Sequence, residues 1–304
     1  MAVYTYPQFS EEEIDRIVKN TTVYNQGGLA SSRPPFYEDL AGKKYNIKYD
    51  NGFEFDYQFA DAHKLYWKDT SGELKEEYYE ALQADEHVIL VVHIVKNTSP
   101  QQARMIVLEM NTGLVTTFFC KIGNEVSARE VDRDIVFGYF SPTGESPESP
   151  ESTEFSDSIK PTAARHSLTT NLVGRSIIWT YSPTFSIQHI YASKWYSAFV
   201  DFNSFYGGML LSSPCNYVEI NDHVYIYSWV ETEGAGVQGF ALMNLFDMHD
   251  VGCFFGINGD SKFECYTFGA IGKDVGQLTN LHLPNEMDKD FDWPPKEREE
   301  GATE

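Results

Sequence analysis

Glu231 ends an aromatic stretch whose spacing could support acid/base chemistry. The seven residues that end at Glu231 read YIYSWVE. Alternate side chains of a strand share a face, so Tyr225, Tyr227, Trp229 and Glu231 would point in one direction. On an apolar interior face, the loss of solvent favours the neutral carboxylic acid, which is the form that donates a proton. Glu231 is therefore a candidate general acid, and the alternative is an ordinary acid at a hairpin end.

Two segments upstream of Glu231 carry further candidates. Trp179 and Tyr181 are two residues apart, so Tyr181 could offer a hydroxyl hydrogen bond beside an apolar wall formed by Trp179. His189 and Tyr191 share a face in the same way. A histidine can act as an acid/base group near neutral pH. Ordinary core packing is the alternative for all four side chains.

The sequence carries no recognisable metal or phosphate motif. The four cysteines form no CxxC pair and do not cluster with histidine at zinc-binding spacing, and the chain has no GxxxxGK[ST] loop. Reduced, buried thiols are the expected state. We therefore expect a protein without a metal or another cofactor.

The elements that must position these candidates are short strands. From about residue 40, short segments rich in β-branched and aromatic residues alternate with turn signals such as Asp50-Asn51-Gly52. This pattern predicts antiparallel strands joined by hairpins, with little helix. A capping box at Ser10 to Glu13 predicts one short N-terminal helix.

The chain contains an internal repeat. Leu40-Ala41-Gly42-Lys43 matches Leu172-Val173-Gly174-Arg175 at an offset of 132. Beyond an insertion the offset becomes 136, which pairs Val115 with Val251, and near the end Phe137 meets Phe268 at an offset of 131. A period above 100 residues indicates a duplicated domain. Each unit has room for about eight strands. We expect these strands to close into a barrel, because closure removes exposed sheet edges. A barrel of this size can enclose one small ligand.

The repeat and the composition predict five segments. A helical lead over 1–39 precedes a first barrel over 40–140, and a second barrel follows over 168–283. The stretch 141–167 is rich in Pro, Ser and Glu and reads as a linker, and 284–304 reads as an acidic tail.

Short motifs of the second repeat point to a family. The segment LVGR at 172–175 is followed by WTY at 179–181, and SWVE at 228–231 is followed by GCFF at 252–255. These motifs resemble those of the calycins, the lipocalin-like barrels, and more specifically those of bacterial phenolic acid decarboxylases. The tandem arrangement is similar to that of MoaF-like proteins, which are labelled molybdenum cofactor biosynthesis protein F.

The decarboxylase resemblance implies roles for several residues. In those enzymes two tyrosines and an arginine hold the substrate carboxylate, and a glutamate delivers a proton. The second tyrosine falls on Tyr181, the glutamate on Glu231, and the first tyrosine is replaced by Trp179. The strand of the arginine maps near 207–210, which holds no basic residue. The resemblance therefore implies proton transfer in the second barrel without plain phenolic acid decarboxylation.

The first repeat matches this pattern less well. Tyr49 keeps the tyrosine position, Val95 replaces the glutamate, and His93 replaces the tryptophan. We expect Tyr49 and His93 to line the first barrel, either as ligand contacts or as core residues. The first barrel then looks less able to carry out the chemistry.

Composition narrows the partners and the compartment. The 304 residues carry a formal charge of −22, which disfavours nucleic acid and anionic membrane surfaces. The N-terminus lacks the features of a secretory signal, so we expect a cytoplasmic protein. Aromatic residues make up 15% of the chain and suit the binding of a small hydrophobic or aromatic molecule. The sequence does not decide whether the protein forms a homodimer.

Together these observations predict an all-β protein of two tandem lipocalin-like antiparallel barrels with a short N-terminal helix. The predicted function is a cofactor-free lyase, isomerase or cyclase in secondary metabolism. The alternative is a non-catalytic carrier of a hydrophobic molecule. The candidate catalytic residues are Glu231, Tyr181 and His189. The candidate substrate contacts are Trp179, Trp229, Tyr227, Tyr191, Tyr49 and His93.

Overall fold

The computed structural model describes residues 12, 29–143, 164–202, 208–231, 236–259 and 261–277. The expected N-terminal helix, apart from Glu12, and the expected tail over 284–304 lie outside the described residues. Strands account for the regular structure from residue 29 onward in the described ranges. In chain order they are β1 (Lys44–Tyr49), β2 (Glu54–Phe59), β3 (Lys64–Asp69), β4 (Lys75–Asp85), β5 (Val88–Val95), β6 (Gln102–Glu109), β7 (Leu114–Ile122), β8 (Val131–Pro142), β9 (Ser167–Leu168), β10 (Arg175–Ser182), β11 (Phe185–Ile190), β12 (Tyr196–Asp201), β13 (Leu210–Glu219), β14 (Val224–Val230), β15 (Gln238–Asn244), β16 (His249–Ile257) and β17 (Phe263–Gln277).

Strands β1 to β8 form a closed antiparallel barrel. Each strand pairs with its neighbour in sequence, and β1 pairs with β8, where Ile47 lies opposite Phe140. Strands β10 to β17 form a second barrel in which β10 pairs with β17 and β12 pairs with β13. The short strand β9 pairs with the C-terminal end of β13. The prediction of an all-β protein with two tandem lipocalin-like barrels is confirmed.

The strand β2 shows why these segments fold as barrel walls. Its residues Phe55, Tyr57 and Phe59 are buried, whereas the intervening Asp56 and Gln58 are more exposed. This period of two places one apolar face inside the barrel and one polar face in solvent. By contrast, β5 and β14 are buried along their whole length. Each of these two strands therefore has a second covered face.

The second face of β5 and β14 lies between the two barrels. One apolar cluster joins residues of β4 to β8 with residues of β13 to β17, including Leu90, Met105, Ile226 and Phe255. Polar contacts cross the same interface. The Asn244 Nδ2 donates to the Ala84 carbonyl at 3.1 Å, for example. The two barrels thus pack outer face to outer face, as two sheets do in a sandwich.

The two ends of the expected linker belong to strands. β8 ends at Pro142 and β9 begins at Ser167, while residues 144–163 lie outside the description. The residues before β9 are tied to the first barrel. Arg165 pairs with Asp50 at 2.9 Å, and the buried His166 ring contacts the Thr116 hydroxyl at 2.8 Å.

The pairing register corrects the later part of the repeat. His93 and its counterpart Trp229 pair with Arg104 and Gly239 respectively, so the offset over β6 and β7 is 135 rather than 136. The expected match of Val115 with Val251 is wrong, because Val115 lines the first barrel and Val251 lies between the barrels. A slip of one residue moves a side chain to the opposite face of a strand.

The last strand shows the same one-residue slip. Val136 lines the first barrel, as Phe268 lines the second, and the offset between them is 132. The expected match of Phe137 with Phe268 at 131 is therefore also wrong, because Phe137 packs against the cluster between the barrels.

Candidate active site

The interior of the second barrel brings together most of the predicted site residues. Six of them are buried and pack together in one cluster of aromatic rings, which we call the aromatic group: Trp179, Tyr181, His189, Tyr191, Tyr227 and Trp229. The Tyr227 and Trp229 rings stack at 4.6 Å with an angle of 14° between their planes. Their alternation along β14 directs them inward, as the aromatic spacing predicts.

Hydrogen bonds orient several of these rings. The Trp179 indole donates to the Tyr191 hydroxyl at 3.1 Å, and that hydroxyl donates to the Met243 sulfur at 3.0 Å. The Tyr227 and Ser197 hydroxyls share a hydrogen bond of 2.6 Å. The polar tips of these side chains are therefore occupied by protein partners, as buried tyrosine and tryptophan require.

His189 lies against the faces and edges of this group. Its ring centre is 5.2 Å from that of Tyr227 and 5.7 Å from that of Trp229. Burial lowers the pKa of His189 to about 3, and its Nδ1 atom makes no hydrogen bond. The imidazole is thus neutral at physiological pH and is a weak base, which suits a hydrogen-bonding role better than proton abstraction.

Tyr181 lies near the end of β10 and faces the interior of the second barrel. Its ring packs against Phe185 at 5.7 Å and Phe268 at 5.5 Å. Burial raises the pKa of Tyr181 well above its usual value, and the charges of Asp250 and Glu231 raise it further. The phenol therefore keeps its proton and can donate a hydrogen bond to a bound molecule.

Glu231 lies at the rim of the same barrel. It is half-buried and follows the last residue of β14. Its backbone N–H donates to the Val237 carbonyl at 2.9 Å, and its carbonyl accepts from the Gly236 N–H at 2.8 Å. Glu231 thus closes the hairpin between β14 and β15, and its charge reaches Tyr181 and Tyr227. Its role as a general acid stays a prediction.

Asp250 is a buried acid that sequence reasoning missed. On β16 the side chains of Val251, Cys253 and Phe255 face the other barrel, so Asp250 and Phe254 face the interior. Asp250 is 1% exposed, and neither carboxylate oxygen makes a hydrogen bond of regular geometry.

The environment of Asp250 favours the protonated, neutral carboxyl group. Burial raises the pKa of Asp250 to about 8, against the opposing effect of the Ala270 backbone N–H. Its charge in turn raises the pKa of both Tyr181 and Tyr191, which places those phenols near it. A carboxylic acid that titrates near neutrality inside an aromatic barrel can both give and take a proton.

The sequence signal for Asp250 was weak. The residue is the second of β16, just after the turn over 245–248, where an acid is ordinary, and the repeat offset of 136 paired Val115 with its neighbour Val251. With the register of the structure, Asp250 is the counterpart of Val115 in the first barrel. The alternation of Val251, Cys253 and Phe255 is the pattern that could have revealed the inward position.

The remaining two predicted residues lie in the first barrel, apart from the others. The Tyr49 hydroxyl shares a hydrogen bond of 2.6 Å with the Thr117 hydroxyl. The His93 Nε2 lies 3.4 Å from the Tyr57 hydroxyl. Burial and the positive charge of Arg104 lower the pKa of His93 to about 3. Both predicted residues therefore line the first barrel in neutral form.

Arg104 is the second functional candidate that sequence reasoning missed. Its side chain is buried inside the first barrel, and its Nη1 donates to the Tyr57 hydroxyl at 2.7 Å. The second barrel has Gly239 at the matching position, where a Cβ atom would lie 2.2 Å from the Trp229 ring. The cation is therefore a property of the first barrel alone.

Two negative observations apply to the described residues. In these ranges no three His, Cys, Asp or Glu side chains lie together as a set of metal ligands. The described part of the chain also contains no helix of the length and apolarity that would cross a membrane.

Comparison with solved structures gives distant similarities. A protein provisionally described as a beta-lactamase from Burkholderia vietnamiensis is 16% identical, with 36% of this chain and 98% of that chain covered and a TM-score of 0.28. A protein of unknown function from the DUF3598 family, from Nostoc punctiforme PCC 73102, is 7% identical, with 83% and 98% covered and a TM-score of 0.32. No curated protein matches the chain.

Family models match both barrels. The model of the MoaF N-terminal domain matches residues 27–124, and that of the MoaF C-terminal domain matches residues 166–278. The two matches follow the order of the two barrels along the chain and together cover well over half of it. With this tandem arrangement, the chain belongs to the MoaF family.

Proposed function

We propose that the second barrel binds a small hydrophobic or aromatic molecule and moves a proton on it without a cofactor, as a lyase, isomerase or cyclase does. The observation that supports this proposal is the buried Asp250 carboxyl, which faces an aromatic interior beside Tyr181 and Tyr191. Burial of an ionisable group without a regular hydrogen-bond partner is costly, and such groups are concentrated at functional sites.

Asp250 is the proton donor and acceptor in this proposal. In its neutral form it gives a proton to a carbon of a substrate double bond, and the carboxylate that remains takes a proton from the product-forming cation. The proton is thus returned, and no oxidant or reductant is required. Tyr181, which keeps its own proton, orients the substrate through a hydrogen bond.

Glu231 has a different place in this scheme. It lies at the rim, half-buried, while Asp250 lies deeper and almost fully covered. The charges of both acids raise the pKa of Tyr181, which faces the same barrel interior. We assign the central proton transfer to Asp250 because it is the better desolvated of the two, and Glu231 to the entrance.

Carriage of a hydrophobic molecule without chemistry is the second candidate function. It is supported by the neutral state of His189 and of the surrounding phenols, which makes the interior largely uncharged. A carrier of this kind needs neither Asp250 nor Glu231 for turnover, and the two functions can therefore be separated.

The test uses the full chain and a panel of aromatic and polyene compounds in D2O. Binding is followed by calorimetry, and each recovered compound is examined by mass spectrometry for conversion or deuterium uptake. We expect Asp250→Asn to reduce conversion by about 10²- to 10⁴-fold while binding persists, since that is the usual contribution of a general acid. Asp39→Asn, the same change at an exposed position, is the control.

Other outcomes decide between the candidates. Full conversion by Asp250→Asn together with its loss in Glu231→Gln would return the catalytic role to Glu231. Saturable binding with every compound recovered unchanged and undeuterated would favour the carrier.

A further inference from the structure

Two hairpins at the rim of the second barrel contact a loop of the first barrel. Alternate hairpins of a barrel built from consecutive antiparallel strands lie at the same end, so the β14–β15 and β16–β17 hairpins share the rim with Glu231. The connection between β7 and β8, residues 123–130, reaches both of them, and we call it the β7–β8 loop. The first barrel therefore contributes to the rim of the second.

The β14–β15 hairpin is held through its backbone. The Val131 N–H donates to the Gly236 carbonyl at 2.9 Å, and the Gly236 N–H donates to the Glu231 carbonyl at 2.8 Å. Gly236 has a φ of +87°, and an added Cβ atom would lie 3.0 Å from the Glu130 nitrogen, 2.8 Å from its Cβ and closer still to its Cα. Glycine suits both this conformation and this approach. Two successive hydrogen bonds thus connect the first barrel to the backbone of Glu231.

The β16–β17 hairpin is held by a side chain of the same loop. The Arg129 Nη2 donates to the Asn258 carbonyl at 2.8 Å. Asn258 closes this hairpin, because its Oδ1 accepts from the Lys262 N–H at 3.0 Å and its own N–H donates to the Lys262 carbonyl at 2.9 Å. Arg129 is therefore bonded to the residue that sets the shape of the hairpin.

The β7–β8 loop has internal support of its own. The Asn124 Oδ1 accepts from the N–H groups of Val126 and Ser127 at 2.8 and 2.7 Å. The Ser127 hydroxyl oxygen accepts from the N–H groups of Arg129 and Glu130, both at 3.2 Å. Side-chain bonds to the backbone of this kind fix the conformation of a turn. The loop thus presents Arg129 and Glu130 to the second barrel from a defined position.

We propose that the first barrel positions the rim of the second: the β7–β8 loop fixes the β14–β15 hairpin and, with it, Glu231 at the entrance. Arg129, Glu130 and Val131 are positioning residues, since they act through the hairpins that they contact. The consequence for catalysis rests on the proposed function, whereas the positioning itself can be measured without a substrate.

Gly236→Ala and Gly208→Ala form a matched pair of variants. Both glycines lie in rim hairpins of the second barrel, and their φ angles are +87° and +86°, so alanine introduces similar backbone strain at each. Nothing lies within 4 Å of the Cβ position at Gly208, whereas a Cβ at Gly236 meets Glu130. The difference between the two variants therefore reports the contact with the β7–β8 loop.

The measurement uses the full chain labelled with 5-fluorotryptophan, and Trp→Phe variants assign its five ¹⁹F resonances. Trp229 precedes Glu231 by two residues on β14, and Trp179 lies on β10. We expect Gly236→Ala to shift or broaden the Trp229 resonance and to leave that of Trp179 in place. Gly208→Ala should move neither resonance.

A second pair of variants keeps the test decisive if Gly236→Ala does not fold. Arg129→Met loses the bond to the Asn258 carbonyl, and Arg129→Lys can keep part of it. The Trp229 ring packs against Phe254 of β16 at 5.7 Å, so a displaced β16–β17 hairpin also reaches this ring. We expect Arg129→Met to shift the Trp229 resonance and Arg129→Lys to shift it less.

Turnover separates this proposal from the proposed function. With a compound that the panel assay shows to be converted, Gly236→Ala should raise KM by about 10-fold or more and largely retain kcat, because it displaces the entrance. Conversion of no compound would count against the proposed function and would leave the resonances to decide the positioning. Equal spectra of folded Gly236→Ala and Gly208→Ala, or an unmoved Trp229 resonance in Arg129→Met, would overturn the positioning role.

Discussion

Asp250 in the second barrel and Val115 in the first occupy the same position of the repeated unit. Each lies on the seventh strand of its barrel and faces inward, and each pairs with an inward position of the last strand, Ala270 or Gly138. Arg104 and Gly239 form a second such pair, with the cation in the first barrel. The position that holds a buried acid in the second barrel therefore holds valine in the first, and the position that holds a buried cation in the first barrel holds glycine in the second.

Asp250 makes the stability of the protein depend on pH. Burial in the folded state raises the pKa of Asp250 to about 8 from an ordinary value of about 3.9, so the folded protein binds the proton more tightly than the unfolded chain. The free energy of unfolding should therefore fall as pH rises from about 4 to about 8, and Asp250→Asn should remove this part of the loss. One pKa unit corresponds to about 1.4 kcal/mol, so the difference is on the order of a few kcal/mol.

Urea denaturation of both proteins at pH 5 and pH 8 measures this effect. Wild-type protein should lose more stability between the two values than Asp250→Asn does. An equal loss of stability in the two proteins between pH 5 and pH 8 would mean that Asp250 has the same pKa in the folded protein as in the unfolded chain.

Tyr181→Phe should leave the barrel folded and slow the proposed reaction. The ring keeps its packing against Phe185 and Phe268, and the substitution removes only the hydroxyl. We expect conversion in the panel assay to fall by at least 10-fold with a melting temperature within a few degrees of wild type. Unchanged conversion would exclude Tyr181 from the mechanism.

Gly239→Ala should destabilise the protein, although the change adds one methyl group. The new Cβ atom would lie 2.2 Å from the buried Trp229 ring, and overpacking of this kind costs about 1–3 kcal/mol. Gly259→Ala is the matched control, because nothing lies within 4 Å of its Cβ position. Thermal unfolding of the two variants should differ clearly, and equal midpoints would contradict the packing described for Trp229.

Asn244→Ala should weaken the attachment between the barrels. Asn244 is fully buried, and its side-chain amide donates to the Ala84 carbonyl and to the Asp85 carboxylate, at 3.1 and 3.3 Å. Loss of the amide leaves buried acceptors without a partner, which costs about 1–3 kcal/mol. Chemical denaturation measures the loss, and limited proteolysis should then detect earlier opening. No change in either would show that the Asn244 hydrogen bonds do not hold the barrels together.

Much of the architecture follows from the sequence. The short alternating segments, the turn residues and the repeat predict two closed antiparallel barrels, and the spacing of Tyr225, Tyr227 and Trp229 predicts that they share a face. A period of two is a local property of the chain, and each strand reports it without reference to its neighbours. The sequence also identifies Tyr57 and His189 as equivalent positions of the two barrels, because the first three strands repeat at a constant offset of 132.

Only the tertiary structure decided which of two buried faces lines a barrel. β5 and β14 are apolar on both sides, so alternation separates two sets of residues without saying which set is inside. Counted from His93 to Arg104 and from Trp229 to Gly239, the hairpin after β5 is one residue longer than the hairpin after β14. A match of the two repeats that ignores this difference assigns inward side chains of the following strands to the outer face. Asp250 and Arg104 lie beyond those hairpins. The sequence thus determined the two barrels and their aromatic interiors, while three-dimensional pairing decided that a buried acid faces one interior and a buried cation the other.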